Sequence, residues 1–137
     1  MCPPQHHETT LCFHLTTPPL PPPHPLQGRP YRYTYGVAAK PPCSFANALG
    51  KWDVQQGTCT TWHEAGAIPT EPLFIPRADG TPSQLEDDGI VLSYVVGGDG
   101  VPFLLVLDGF SFEELCRAPI PAAVPYQFHG QWLPSNL

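Results

Sequence analysis

The chain has 137 residues, 20 of them proline, with 13% charged and a formal net charge of −6. That acidic balance comes with no basic patch, so a nucleic-acid partner is not expected. No apolar run approaches the ~18 residues of a membrane-spanning helix, and proline far above its usual ~5% argues against a self-sufficient compact domain.

The five cysteines, Cys2, Cys12, Cys43, Cys59 and Cys116, are odd in number and widely spaced without a CxxC pair. That pattern reads as reduced thiols in an intracellular protein. No secretory signal is readable at the N-terminus. Residues 1–27 contain no Arg, Ser or Lys, so they lend no support to a plastid transit peptide. Cytoplasm and plastid both stay open as compartments.

Residues 1–27 form a low-complexity, Pro-rich segment expected to be disordered. Pro18–Pro25 favours polyproline II, because fixed φ angles and missing N–H donors exclude helix and central strand. His6, His7, His14 and His24 have no fixed ligand spacing, and a flexible segment does not hold coordination geometry. A PxxP ligand for an SH3-like partner is a weak pattern here.

From Gly28 to Gly36 aromatic residues alternate with basic or polar ones at period two, which predicts a half-buried strand with its aromatic face inward. Two arginines are too few for RNA stacking. Asn47–Trp52 and Thr58–His63 read as a hairpin, with Gly57 the residue of positive φ and Trp52 and Trp62 the packing anchors. His63 falls at the strand exit, as a rim residue. Glu71 stands directly before a proline-bounded apolar strand ending at Arg77, and 78–84 reads as a loop. Glu86, Asp87 and Asp88 lack the alternating spacing of a calcium loop and read as a loop-and-strand cap.

Ile90–Val96 and Phe103–Leu107 are strand-like runs joined by Gly97-Gly98-Asp99-Gly100. Asp108-Gly109 turns into a third strand predicted over Phe110–Ala118, with Glu113 and Glu114 exposed and Cys116 a small buried hydrophobe. Three successive short strands with apolar residues on both faces suit a meander or propeller blade, with neighbours on either side. Pro125-Tyr126-Gln127-Phe128-His129-Gly130 then sets one imidazole between aromatic residues and a glycine.

EPLFIPR at 71–77, EDDGIVLSYV at 86–95, FLLVLDGFSFEELCRA at 103–118 and PYQFHGQW at 125–132 resemble the C-terminal end of the carotenoid cleavage oxygenases. That family includes the retinal pigment isomerase. The resemblance runs in register from about Gly28 to Pro134. It implies an all-β fold, part of a seven-bladed propeller represented by about its last two blades, with residues 28–137 its C-terminal part. It further implies a non-haem Fe(II) held by four histidines, and oxidative cleavage of a polyene double bond by O2 into two carbonyl products. His129 matches the last of those iron ligands. Glu71 matches the carboxylate that accepts a hydrogen bond from an iron-bound histidine, fixing its tautomer. Gln127 stands where the family usually has glycine. The other three ligands are expected upstream of Gly28, so this chain alone is expected to be inactive.

Three readings follow. The first is a carotenoid or apocarotenoid dioxygenase represented by its C-terminal part, with isomerase chemistry at the same iron as a variant. Peripheral membrane contact for substrate uptake would come through regions outside this chain. The second is a non-catalytic relative acting as a binding or regulatory module through its open sheet edges. The third is an adaptor that presents the Pro-rich arm.

Overall fold

A computed structural model describes residues 30–43, 45–77, 85–122, 124–126 and 129–130. The expectations for the Pro-rich arm, for the 78–84 loop and for Gln127 lie outside the described residues. Within them the fold is all-β and without helix, so none of it is long and apolar enough to cross a membrane as a helix.

Among the described residues eight strands form, in chain order β1 (Tyr33–Ala38), β2 (Ala48–Asp53), β3 (Thr58–His63), β4 (Ile68–Pro69), β5 (Leu73–Pro76), β6 (Gly89–Val96), β7 (Pro102–Asp108) and β8 (Glu114–Pro119). The first sheet has the order β1-β2-β3. In the second, β4 and β5 both pair with β6, followed by β7 and β8. All pairings are antiparallel. Two hairpin turns depend on glycine in the left-handed region, Gly57 at φ 67° and Gly100 at φ 81°.

The sheets meet over a shared core. Val37 and Leu49 from the first face Val91, Val95, Phe103, Leu105 and Leu107 from the second, with Ala67 and Phe112 added from connections. Fully burying one such Leu or Val side chain contributes about 1.5–3 kcal/mol. Tyr35, on the expected inward aromatic face of β1, stacks on Phe74 of β5 at 5.3 Å and 5°. Trp62 packs against the same core, and Trp52 lies over Gly50, as the two expected anchors.

The three adjacent carboxylates divide their work. Glu86 accepts from the backbone amides of Arg32 and Tyr33 at 2.8–3.0 Å, capping the entrance of β1. Asp87 is buried and receives the Lys51 ammonium at 2.5 Å, and Asp88 pairs with Arg77 at 2.9 Å. Lys51 also donates to the carbonyls of Gly109 at 2.7 Å and Phe110 at 2.8 Å, which satisfies its three donors. This buried ammonium from β2 therefore ties the first sheet to two loops of the second.

Three expectations need correction. The first strand starts at Tyr33 and runs on to Ala38 instead of ending at Gly36, and Tyr31 ahead of it is exposed. The third strand of the meander starts at Glu114 rather than Phe110. The Ser111 amide donates to Asp108 Oδ1 at 2.6 Å, and Phe112 takes φ 62°, so residues 109–113 form a tight turn that drives Phe112 into the core. Cys116 is exposed, not buried. It pairs with Val106, whose side of the sheet faces away from the core, and β8 is the sheet edge.

The second sheet is apolar on that outer side as well. Alternation along β6 and β7 leaves Leu92, Tyr94, Leu104 and Val106 half-buried, joined across the register by Leu73 and Ile75 of β5. β3 at the edge of the first sheet is by contrast largely exposed and mostly polar, TCTTWH.

Candidate functional site

Glu71 lies between β4 and β5, and both flanks are locked onto β6. The Thr70 amide donates to the Tyr94 carbonyl at 2.8 Å, and the buried Ser93 hydroxyl donates to the Thr70 carbonyl at 2.8 Å. Pro72 holds the preceding residue in an extended backbone, and pairing resumes at Leu73 with Leu92. The carboxylate of Glu71 is consequently fixed and only 8% exposed.

The segment leading to His129 is moored to the same place. Tyr94 Oη donates to the Val124 carbonyl at 2.7 Å, and Tyr126 Oη donates to the Pro69 carbonyl at 3.5 Å. The Tyr126 ring lies 6.0 Å from that of Phe45. Phe45 sits on the β1–β2 loop, which Asn47 closes with two hydrogen bonds to the Lys40 backbone at 2.7 and 3.1 Å. Burial pushes the Tyr126 phenol above its ordinary range.

His129 Nδ1 stands 3.0 Å from Glu71 Oε2, while the imidazole is 74% exposed. The two residues named from sequence, 58 positions apart, are therefore in contact. A buried carboxylate engaging Nδ1 leaves Nε2 as the nitrogen for a metal ion, which is the chemistry of one ligand with its orienting partner. No group of three or more His, Cys, Asp and Glu gathers among the described residues. His63 remains a rim residue, its Nδ1 2.9 Å from the Asn47 carbonyl.

Sequence reasoning missed the residues that hold this pair. Ser93, Tyr94 and Tyr126 supply the hydrogen bonds that place it. A serine and a tyrosine inside the apolar run GIVLSYVV were the available signal, since buried hydroxyls need partners.

A second cluster lies toward the Gly89 end of β6, a cleft of about 230 Å3 lined by residues that include Arg32, Lys51, Asp53 and Asp87. Its charges are paired, Lys51 with Asp87 and Arg32 with Asp53 at 2.6 Å. The Arg32 guanidinium is the main cause that holds the Asp53 carboxyl below the usual range. The Lys51–Asp87 pair within it joins the two sheets.

The chain resembles known proteins over most of its length. The sequence profile of the family described as retinal pigment epithelial membrane protein matches residues 22–134. The chain is 47% identical over 109 residues to carotenoid cleavage dioxygenase 8, chloroplastic, of Arabidopsis thaliana, covering 80% of this chain and 19% of that protein. It is 41% identical over 115 residues to the mitochondrial carotenoid-cleaving dioxygenase of Homo sapiens, covering 80% and 18%. Among solved structures, the cobalt-substituted ACO of Synechocystis superposes with TM-score 0.71 at 31% identity, over 79% of this chain and 23% of that one. The chain thus spans about a fifth of the length of the curated relatives it matches.

Proposed function

The chain belongs to the carotenoid cleavage oxygenase family, and from that membership we propose that it supplies one corner of a carotenoid-cleaving iron site. The reading rests on the 3.0 Å contact between His129 Nδ1 and the buried carboxylate of Glu71. In it, residues 28–137 are the C-terminal part of a seven-bladed propeller, and the two sheets stand for about two blades. In this reading the whole protein is a dioxygenase acting on a carotenoid or apocarotenoid with O2; its relatives are named as carotenoid-cleaving dioxygenases.

His129 would hold Fe(II) through Nε2. Glu71, accepting from Nδ1–H, would fix the tautomer that presents Nε2 to the metal and hold the orientation of the ring. The bound metal supplies the redox chemistry by which O2 reacts with a polyene double bond to give two carbonyl products. Tyr94 and Ser93 keep the pair in place by tethering Val124 and Thr70 to β6. A single imidazole does not retain Fe(II) against water, so residues 28–137 alone are inactive and the remaining ligands come from the part of the family's length that the chain does not match.

The test is a graft, with residues 30–130 of this chain replacing the matching C-terminal segment of a carotenoid cleavage dioxygenase. We expect the graft to cleave its carotenoid, His129→Ala to abolish cleavage, and Glu71→Gln to lower it about 10–100-fold. A folded graft whose activity survives His129→Ala removes the assignment.

A further inference from the structure

We propose that the cleft beside Lys51 binds a neutral hydroxylated ligand, a single sugar ring. The register of the first sheet sets three rows of side chains on the side that faces the second sheet. One row, Val37, Leu49 and Trp62, packs into the shared core. The next two, Tyr35–Lys51–Thr60 and Tyr33–Asp53–Thr58, turn polar along the same strands. A sheet side that is closed by a packed neighbour is apolar throughout. Thr58 and Thr60 instead stay exposed on it, and this end of the sheet opens into the cleft of about 230 Å3, which the loop residues Asp87 and Phe110 line from the other side.

The charges of the cleft cancel, since Lys51 is matched by Asp87 and Arg32 by Asp53. An ion entering it would lose its water without meeting an unmatched opposite charge, which favours a neutral guest. Hydrogen-bonding capacity of both kinds is what stays open. Arg32 donates to Asp53 through Nε and Nη2, and Nη1 has no partner among the described residues. Asp87 is only 2% exposed, and Lys51 takes its Oδ2 alone. Among the described residues no enclosed side-chain oxygen lacks a partner, so Asp87 Oδ1 opens onto the cleft as an acceptor. The hydroxyls of Thr58 and Thr60 and the amide of Gln56 line the same space and can both donate and accept. A sugar hydroxyl does the same, giving its proton to a carboxylate oxygen and receiving one from a guanidinium. Phosphate or carboxylate would meet repulsion from Asp87. The Phe110 ring, on a residue 65% exposed, offers apolar surface to the C–H face of a sugar. The volume lies below the ~300 Å3 at which small-molecule sites usually begin, which limits the guest to one ring. This site is independent of the iron reading, because Glu71 and His129 are held farther along β6, beside Ser93 and Tyr94.

Amide NMR spectra of the full chain are followed while methyl glucoside, methyl galactoside or methyl mannoside is added, with sodium phosphate as the anionic comparison. The expected result is that at least one glycoside shifts the amide signals of Thr58, Thr60 and Phe110 and saturates in the millimolar range, while phosphate leaves them in place. Thr60→Val keeps the side-chain shape, removes the hydroxyl and should weaken binding about 3–10-fold. Phe110→Ala should cost about 3–10-fold through the lost ring contact. Thr61→Val, on the opposite side of β3, should bind as the parent does, and the spectra themselves show that each variant is folded. No saturable shift with any of the three glycosides, a response to phosphate in their place, or an affinity indifferent to both Thr60→Val and Phe110→Ala would overturn the proposal.

Discussion

Lys51 and Asp87 form the buried ion pair that joins the sheets, and each lacks water to replace the other. Removing one partner of such a pair strands a charge, a loss of about 3–5 kcal/mol. We therefore expect Asp87→Ala to lower the unfolding free energy by that amount in urea titrations, with Lys51→Met/Asp87→Leu recovering most of it. A loss under about 1 kcal/mol would mean that the pair is not closed in solution. Three carboxylates make stability depend on acid. Arg32 holds Asp53 low, the Ser111 amide holds Asp108 low, and Arg117 holds Glu114 low. A carboxyl with a depressed folded pKa contributes stability above its ordinary value and loses it as pH falls through the folded value. Stability measured against pH should thus fall below about pH 4, and Asp53→Asn should remove its share of that slope. Lys51, a lysine within a strand sequence, gave no sign in the sequence of being buried, because its carboxylate partner lies 36 residues away. His129 and Glu71 became legible only through the family resemblance, for the same reason of distance.

At the scale of elements, alternation and turn residues made most strands readable. β2, β3, β6 and β7 fall within a residue or two of the expected runs, with Gly57 in the expected turn. The β7–β8 connection was misread because Phe110–Phe112 looks strand-like in composition. What decides it is the Asp108 carboxylate, whose hydrogen bond closes the turn at Ser111, a contact that composition does not carry. Cys116 was misplaced because alternation gives the period of a strand and not which side has a neighbour. The turn also places Gly109 so close to the preceding loop that a Cβ there would lie 2.5 Å from the Asp87 carbonyl oxygen. Gly109→Ala must push apart two backbones that Lys51 holds together, and we expect a loss of about 1–3 kcal/mol in thermal unfolding. An unchanged melting temperature would show that the turn yields freely.

For the whole molecule, two antiparallel sheets close over one core, and among the described residues the outer side of the second sheet is apolar and half-buried. The all-β class was legible from short runs and glycine turns, and the family from its long motifs. The proposed metal site was legible only in part, because a site spread over several distant segments cannot be read from a segment that would carry one ligand. The most direct test of the account is the iron content of the purified graft described above, compared with the same graft carrying His129→Ala. The account predicts about one iron per chain with His129 and a large loss without it, at equal folding by circular dichroism. Equal iron in both proteins would contradict it, since His129 would then hold no metal.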